Sequence, residues 1–591
     1  MFKPVTQAIS AALLCACCAF ASQAAPPKRP NIVVLVADDW GFSDVGSFGS
    51  EIATPNVDAL ARHGMRFSNF HVAASCSPTR SMLLTGVDNH LNGVGNMPET
   101  MPDAHLGKPG YDGVLNERVV TVATMLRDSG YHTYLTGKWH LGKTPSTLPG
   151  KRGFERSFIQ ADSGSDNWEE RPYMFFYDKS NWFENDKVAH LPRDYYSSRF
   201  IVDKALDYVK GGRADGKPFF AYLGFQANHI PLQAPQELID KYKGAYAGGW
   251  TALREARRAR AVALGMIPAD AAMVTMASTT SWDALDAPQK EYEARRMEVY
   301  AAMAEAMDQQ VGRLVAELKQ SGEYDNTVFV FLSDNGAEPT DPNAILAIKL
   351  WLAMNYTQKL ERMGGKGAYA SLGPSWASAA AAPLSGYKFF AGEGGLRTPL
   401  IIAGVPGMQE NRVAAAFSHV TDIVPTLLEL AGVAPHGGRY QGRAVEPLTG
   451  SSLLPVMQGR ASAVHAPEQS IGYELSGSAA LFQGDFKLVR NIAPVGDAAW
   501  HLYDIARDPG EAYDLQAAQP ARFAAMQAAY ASYAAANGVL PMPDGYDYKK
   551  QGQLYALHHV LLPRFYDALP GLLVILALVV ASWVLLRRRR R

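Results

Sequence analysis

Residues 31–37, Asn-Ile-Val-Val-Leu-Val-Ala, form an unbroken, largely β-branched apolar run. Such a run predicts a strand buried on both faces, as in a parallel sheet. Lys217 to Phe225 and Thr327 to Ser333 repeat the pattern, and shorter strands are expected at Met65 to Val72, Tyr131 to Thr136 and Pro399 to Ala403. Between them the period changes to that of a helix. Helices are predicted from Pro55, over Val119 to Ser129, over Tyr300 to Leu318 and over His419 to Gly432. In the third, Met303, Met307, Val311, Leu314 and Leu318 recur at helical spacing and read as core. Strands alternating with helices predict an α/β fold around a mainly parallel central sheet flanked by helices. Two stretches break the rhythm. Tyr242 to Gln289 reads as an insertion that either borders a substrate entrance or is a surface decoration, and Ala344 to Ala382 as a long excursion over the site. After about Pro435 the pattern shifts to short strands and turns. Gly484 to Arg490 and Trp500 to Ile505 are expected as antiparallel neighbours, followed by a helix from Pro520 to Asn537, so a smaller α+β subdomain is predicted.

The termini add targeting signals. Lys3, the apolar run Ile9 to Phe20 and Ser22-Gln23-Ala24 read as a secretory signal cleaved before Ala25. At the other end no residue from Ala568 to Leu586 is charged, and about nineteen residues at about 1.5 Å each can just cross a bilayer core. Tyr566 and Trp583 lie near its two ends, and Arg587 to Arg591 follow. Five arginines after an apolar helix predict a transmembrane anchor whose tail stays cytoplasmic, with the body on the outer side. A sorting signal that is later removed is the rival reading. The expected division is a signal peptide (1–24), a catalytic domain (25–435), the small subdomain (436–545), a tether (546–567), the membrane helix (568–586) and the basic tail (587–591).

Charge then narrows the partners. Fifty-six basic and fifty-seven acidic residues leave a net charge of −1, which argues against a nucleic-acid binder relying on bulk positive charge. Of four cysteines, those at 15, 17 and 18 fall in the leader, so the mature chain keeps only Cys76. A lone thiol in an exported chain has no internal disulfide partner. It is either an inert buried hydrophobe or a reactive group.

Its surroundings favour reactivity. Pro78 and the run Ser81 to Leu84 place Cys76 at the N-terminus of a buried helix, where amides and the dipole favour negative charge. Arg80, one turn later, is expected to reach an anion held there. Asp38-Asp39 and Asp334-Asn335 each follow a buried strand, where open α/β sheets bind ligands. Taken alone, an Asp-Asp pair is more often a cap or a turn. Lys138 and His140 lie two apart after a strand, which on an extended chain directs both to one face. His229 follows another strand, and Lys388 precedes Glu393-Gly394-Gly395 by five positions. Each of these has a bland counterpart in a solvated lysine or a satisfied core histidine.

Taken in order, the blocks settle the choice. Cys76-Ser77-Pro78-Thr79-Arg80 with its helix resembles the active-site signature of the type I sulfatases, and Gly130 to Gly142 resembles their second signature. The likeness runs through nearly the whole chain. It implies an alkaline phosphatase-like fold and hydrolysis of sulfate esters, of the arylsulfatase type. It also implies oxidation of Cys76 to Cα-formylglycine by a formylglycine-generating enzyme that recognises Cys-x-Pro-x-Arg. Asp38, Asp39, Asp334 and Asn335, together with residue 76, would hold one Ca²⁺, or Mg²⁺, as suits hard oxygen donors, and no Cys/His cluster argues for zinc. Arg80, Lys138, His140, His229 and Lys388 would complete the catalytic set. His229, with Lys388, would protonate the leaving group, and His140 would take a proton as sulfate leaves. The alternatives are a phosphodiesterase or phosphonate monoester hydrolase of the same superfamily and an inactive envelope binding protein. Asn335, standing where phosphorus-handling relatives often carry histidine, favours sulfate.

Overall fold

The computed structural model describes residues 28–342 and 346–589. The expected signal peptide and the last two arginines lie outside the described residues. Ten strands form the central sheet: β1 (Asn31–Ala37), β2 (Gly64–Phe67), β3 (His132–Lys138), β4 (Arg156–Gln160), β5 (Trp182–Glu184), β6 (Lys187–Val188), β7 (Phe219–Gly224), β8 (Thr327–Ser333), β9 (Leu400–Ala403) and β10 (Arg412–Ala414). Their order is β10-β2-β9-β8-β1-β7-β3-β4-β5-β6. The five central strands, β8-β1-β7-β3-β4, run parallel, while β9 and β5 pair antiparallel at either side. The expected α/β class with a mainly parallel sheet is the one observed.

Strand β1 is buried along its whole length because both faces of the sheet are covered. Val33, Leu35 and Ala37 enter one core with the helices Pro55–Arg62, Ser197–Gly212 and Ala287–Gln320. Ile32, Val34 and Val36 enter the other with Cys76–Thr85, Val122–Asp128 and Ile423–Leu430. Period-two alternation thus splits one apolar run between two cores. The methionine stripe of the long helix lies wholly in the first. Asp286 opens that helix with a capping box closed by Gln289.

In the small subdomain a four-stranded antiparallel sheet (Ser470–Leu475, Ser478–Gln483, Phe486–Arg490, Trp500–Asp504) carries the helix Pro520–Asn537 on one face through Met526 and Tyr530. Its other face merges with the second core through Tyr473, Ala480 and Phe482. Polar ties join it to the catalytic side. The Tyr473 hydroxyl accepts from the Ala74 amide at 3.1 Å, two residues before Cys76. Lys487 Nζ, fully buried, donates to Glu393 and Glu511 at 2.9 and 2.8 Å; Arg397 adds a second cation beside Glu393, and His71, held neutral by burial, donates Nε2–H to it at 3.1 Å.

The segment 546–567, expected as a tether, is helical from Tyr548 onward. Tyr548–Ala556 passes through one π turn, Leu557–Leu561, into the helix Leu562–Arg589. Together they make one helix of 42 residues, long and apolar enough to cross a membrane by length and composition.

His90 gives a measurable reading of how tightly the small antiparallel sheet is coupled to the short helix that follows the Cys76 helix. It is buried between Asp88 and Glu474 of the small subdomain, 2.7 Å from the latter. Burial alone would lower its pKa, yet the two carboxylates raise it from 6.5 to about 9. A pKa raised by folding stabilises fully below pH 6.5, and that contribution is lost as pH rises through about 9. His90→Gln is therefore expected to lower unfolding free energy by up to about 3 kcal/mol at pH 6, converging on the parent by pH 9.5. Urea unfolding at the two pH values checks this, and a difference that does not change with pH refutes it.

Candidate active site

The site grows from the carboxyl ends of neighbouring strands. Ala37 and Ser333 end β1 and β8 in register, so Asp38 and Asp334 emerge side by side. The Asp334 amide donates to the Ala37 carbonyl at 3.1 Å. On the other side β7 feeds Asn228 and His229, and β3 ends at Lys138. Gly224 lets these strands close in, since a Cβ there would lie 2.6 Å from the Lys138 carbonyl and 2.9 Å from an Arg80 nitrogen. The Cys76 helix begins at Cys76 itself, capped by extended Ser75, and is buried throughout. Its N-terminus abuts the strand ends, with Cys76 Sγ 3.6 Å from Asp38 Oδ1.

All the residues singled out from the sequence meet here, though two do so differently from expectation. Arg80 does not project toward an anion at the helix N-terminus. Its Nε and Nη2 lie 2.8 and 2.7 Å from Asp334 Oδ2, and Nη1 donates to the Lys138 carbonyl. Lys138 and His140 do not reach the site by strand alternation, because β3 stops at Lys138 and His140 has φ +54°. Lys138 Nζ is held by Asp38 Oδ2 at 2.6 Å, whereas His140 lines the cavity, 3.6 Å from Glu99 Oε1. Asp39 and Phe389 are also left-handed, with φ +65° and +74°. Non-glycine residues rarely adopt this conformation, and clustering of such strain is a signature of functional sites.

Lys388 Nζ bridges Asp39 Oδ1 and Glu338 Oε2 at 2.7 and 2.8 Å. His229 Nδ1 donates to the Ile230 carbonyl at 2.8 Å, and its Nε2 lies 3.9 Å from Asp39 Oδ2. Glu99 and Glu338 escaped the sequence reading. Glu338 sits only four positions after Asp334, and that proximity was the available signal. Glu99, in the Met97–Thr100 turn, gave none.

Electrostatics at the site follow from complete burial. Burial pushes the Asp39 carboxyl up to about 8, with Lys388 pulling the other way. Asp38 is raised for the same reason and by Asp334, while burial at Asp334 is outweighed by Arg80 and Lys138, which hold its carboxyl low. Burial drives His229 well below the usual imidazole range, helped by Lys138 and Lys388. Burial also raises the Cys76 thiol well above its ordinary value, so an unmodified Cys76 stays protonated and is a poor nucleophile.

The donor set fits a hard cation. Oxygens of Asp38, Asp39 and Asp334 and the Cys76 sulfur lie within 4.8 Å of one another. Asp39 Oδ2 and Asn335 Oδ1 are buried with no hydrogen-bond donor. Orphaned oxygens among crowded carboxylates are what a Ca²⁺ or Mg²⁺ ion would satisfy. Above this floor opens a cavity of about 380 Å³, with Cys76, His140, His229 and Lys388 among its polar walls.

Comparison with known proteins places this geometry. The family model described as Sulfatase matches residues 30–433. An uncharacterised sulfatase of Schizosaccharomyces pombe is 40% identical over 551 residues, 91% of this chain and 99% of that protein. The arylsulfatase of Klebsiella aerogenes is 37% identical over 444 residues, 74% of this chain and 93% of that protein. Among solved structures, Ps i-CgsB superposes with a TM-score of 0.61 at 23% identity, covering 90% of this chain and 98% of its own, which shows the shared fold. The chain belongs to the sulfatase family, the sulfuric ester hydrolases of the alkaline phosphatase-like superfamily.

Proposed function

We propose that the chain hydrolyses aryl sulfate esters to a phenol and inorganic sulfate, through a Cα-formylglycine formed from Cys76 and beside one divalent cation. The observation that carries the reading is Cys76 at the start of a buried helix, 3.6 Å from Asp38 and at the foot of a cavity walled by His140, His229 and Lys388. The likeness to the Klebsiella aerogenes arylsulfatase supports the aryl class. Formylglycine, once hydrated, supplies two hydroxyls on one carbon, one to attack sulfur and one to let sulfate depart, which a serine or thiol cannot do. Asp38, Asp39, Asp334, Asn335 and residue 76 would hold the cation, which when bound neutralises charge on a sulfate oxygen and acidifies the attacking hydroxyl.

The chain's own residues do the rest. Arg80 fixes Asp334, and Lys138 fixes Asp38, so the oxygen donors are oriented before substrate arrives. Both cations, with Lys388, lower the cost of gathering negative charge around sulfur. His229 has its Nδ1 proton committed to a backbone carbonyl, which leaves Nε2 to the site. Because burial leaves Nε2 unprotonated, the proton for the departing oxygen originates at the Lys388 ammonium, with His229 Nε2 relaying it. Glu99 opposes the burial that lowers the His140 pKa, suiting His140 to accept a proton as sulfate leaves. A formylglycine-generating enzyme that reads Cys76, Pro78 and Arg80 completes maturation. The chain is exported to the outer face of a membrane spanned by its C-terminal helix.

Intact mass and peptide mapping of active protein are expected to show residue 76 about 18 Da lighter than cysteine. Cys76→Ala should lose turnover of 4-nitrophenyl sulfate by at least about a thousandfold, and parent-level turnover in that variant would overturn the assignment. The parent should favour the sulfate over bis(4-nitrophenyl) phosphate, and a tenfold preference for the diester would favour the phosphodiesterase reading instead. Ca²⁺ or Mg²⁺ at about a hundred times its Kd should stabilise the chelator-treated chain by about 2.7 kcal/mol. Asn335→Ala, which removes an uncharged donor, should lose most of that thermal shift. An unchanged shift would place the cation elsewhere.

A further inference from the structure

The wall of the cavity and the C-terminal helix are one continuous piece of chain. Tyr548, Lys549, Gly552 and Gln553 line the cavity. Exposed apolar side chains begin directly afterwards, at Leu554, Leu557, Leu561 and Phe565. From Gln553 to Phe565 the helix climbs only about 18 Å, and the uncharged stretch from Ala568 begins three residues later. The aromatic segment Tyr173 to Asp178 follows this climb. Met174, Phe175 and Phe176 line the cavity, Phe176 packs on Gly552, and the Asp178 carbonyl accepts from Arg564 at 2.8 Å. One wall of the active site therefore reaches the point where the helix becomes uncharged.

A second element carries apolar surface to the same corner. The helix Leu346–Asn355 packs Ile348 and Leu352 into a cluster with Tyr173, Met174, Phe175 and Ala556 of the C-terminal helix. Its other face exposes Leu346, Leu350 and Met354 at 71%, 57% and 78%, four residues apart, with the exposed Lys349 alongside. Water gains nothing from such a stripe, and a soluble body would bury it. An apolar stripe flanked by lysine suits the headgroup–acyl boundary of a bilayer, where the ammonium can remain hydrated. The helix that would cross that bilayer stands beside it, which selects a lipid surface over a protein partner.

We propose that the physiological substrate is the sulfate ester of a membrane-borne amphiphile, taken directly from the bilayer, and that the helix Leu346–Asn355 rests in the bilayer interface at the cavity rim. The proposal rests on the sulfatase reading and on the membrane-spanning reading of the C-terminal helix. The apolar part of the ester would lie against Met174, Phe175, Phe176 and Ile230, leaving the sulfate to the charged floor, with Lys549 meeting anionic substrates at the rim.

The test uses the full-length chain reconstituted in phosphatidylcholine vesicles, with 4-dodecylphenyl sulfate in the same vesicles and 4-nitrophenyl sulfate in solution. The amphiphile should be turned over with at least tenfold higher kcat/KM. Combined Leu346→Ser, Leu350→Ser and Met354→Ser substitutions should lower kcat/KM for the amphiphile at least fivefold and leave that for 4-nitrophenyl sulfate within twofold. Equal turnover of the amphiphile by parent and variant overturns the proposal. So does a parallel loss of both activities, which would mark a structural role for the helix, or a parent preference for the soluble ester. Failure of the parent to float with vesicles would sink the membrane-spanning reading, and failure to cleave 4-nitrophenyl sulfate would sink the sulfatase reading, so each failure is told apart from the others.

Discussion

Burying carboxylates side by side is the constraint from which this molecule is built. Adjacent parallel strands deliver Asp38, Asp39 and Asp334 to one dry spot, where charge is costly and like charges repel. The neighbouring structure answers that cost. Lys138 comes from the end of β3, Arg80 from the Cys76 helix, and Lys388 from the segment before Glu393, each in direct contact with one of the three carboxylates. Arg80 and Lys138 meet there through the sheet register and the close approach at Gly224. Fold and chemistry are therefore specified by the same contacts. A divalent cation would enter a place already shaped by opposing charges, and the orphaned oxygens of Asp39 and Asn335 are what the protein's own cations leave unmet.

Much of this was legible in the chain because the governing signals are local. Continuous β-branched runs mark strands covered on both faces, and the acidic residues directly after them are positioned by the strands themselves. The Met303 to Leu318 stripe and the Pro520 helix were readable for the same reason. What could not be read depended on contacts made across the sequence. Arg80 was expected to face an anion, yet Asp334 lies 254 positions away and captures it. Alternation placed Lys138 and His140 together, but one left-handed residue ends the alternation. The helix at Tyr548 reads as linker in a sequence without an obvious partner for it, and its partners, Phe389 and Phe176, are contributed by distant loops.

Of the two irregular insertions, one proves to be partly structural. Arg257 in the helix Gly249–Ala263 is buried on Asp44 and Glu51, with Tyr300 also bonded to Asp44. This braces the loop that follows Asp39. The same insertion reaches the cavity at Ser278, so bordering the site and supporting it are not separate roles.

The charge cluster around Glu393 has a consequence for how the polypeptide matures. Glu393 opens the short helix five residues after Lys388, and besides Arg397 the cation on its carboxylate is the ammonium of Lys487, while its amide donates to Glu511. A nascent polypeptide that has emerged only as far as residue 450 already contains every strand of the central sheet, yet it would have to bury this carboxylate without that ammonium. Full charge balance around Glu393 is thereby tied to the arrival of the last hundred or so residues, with Arg397 the counter-charge at hand before them.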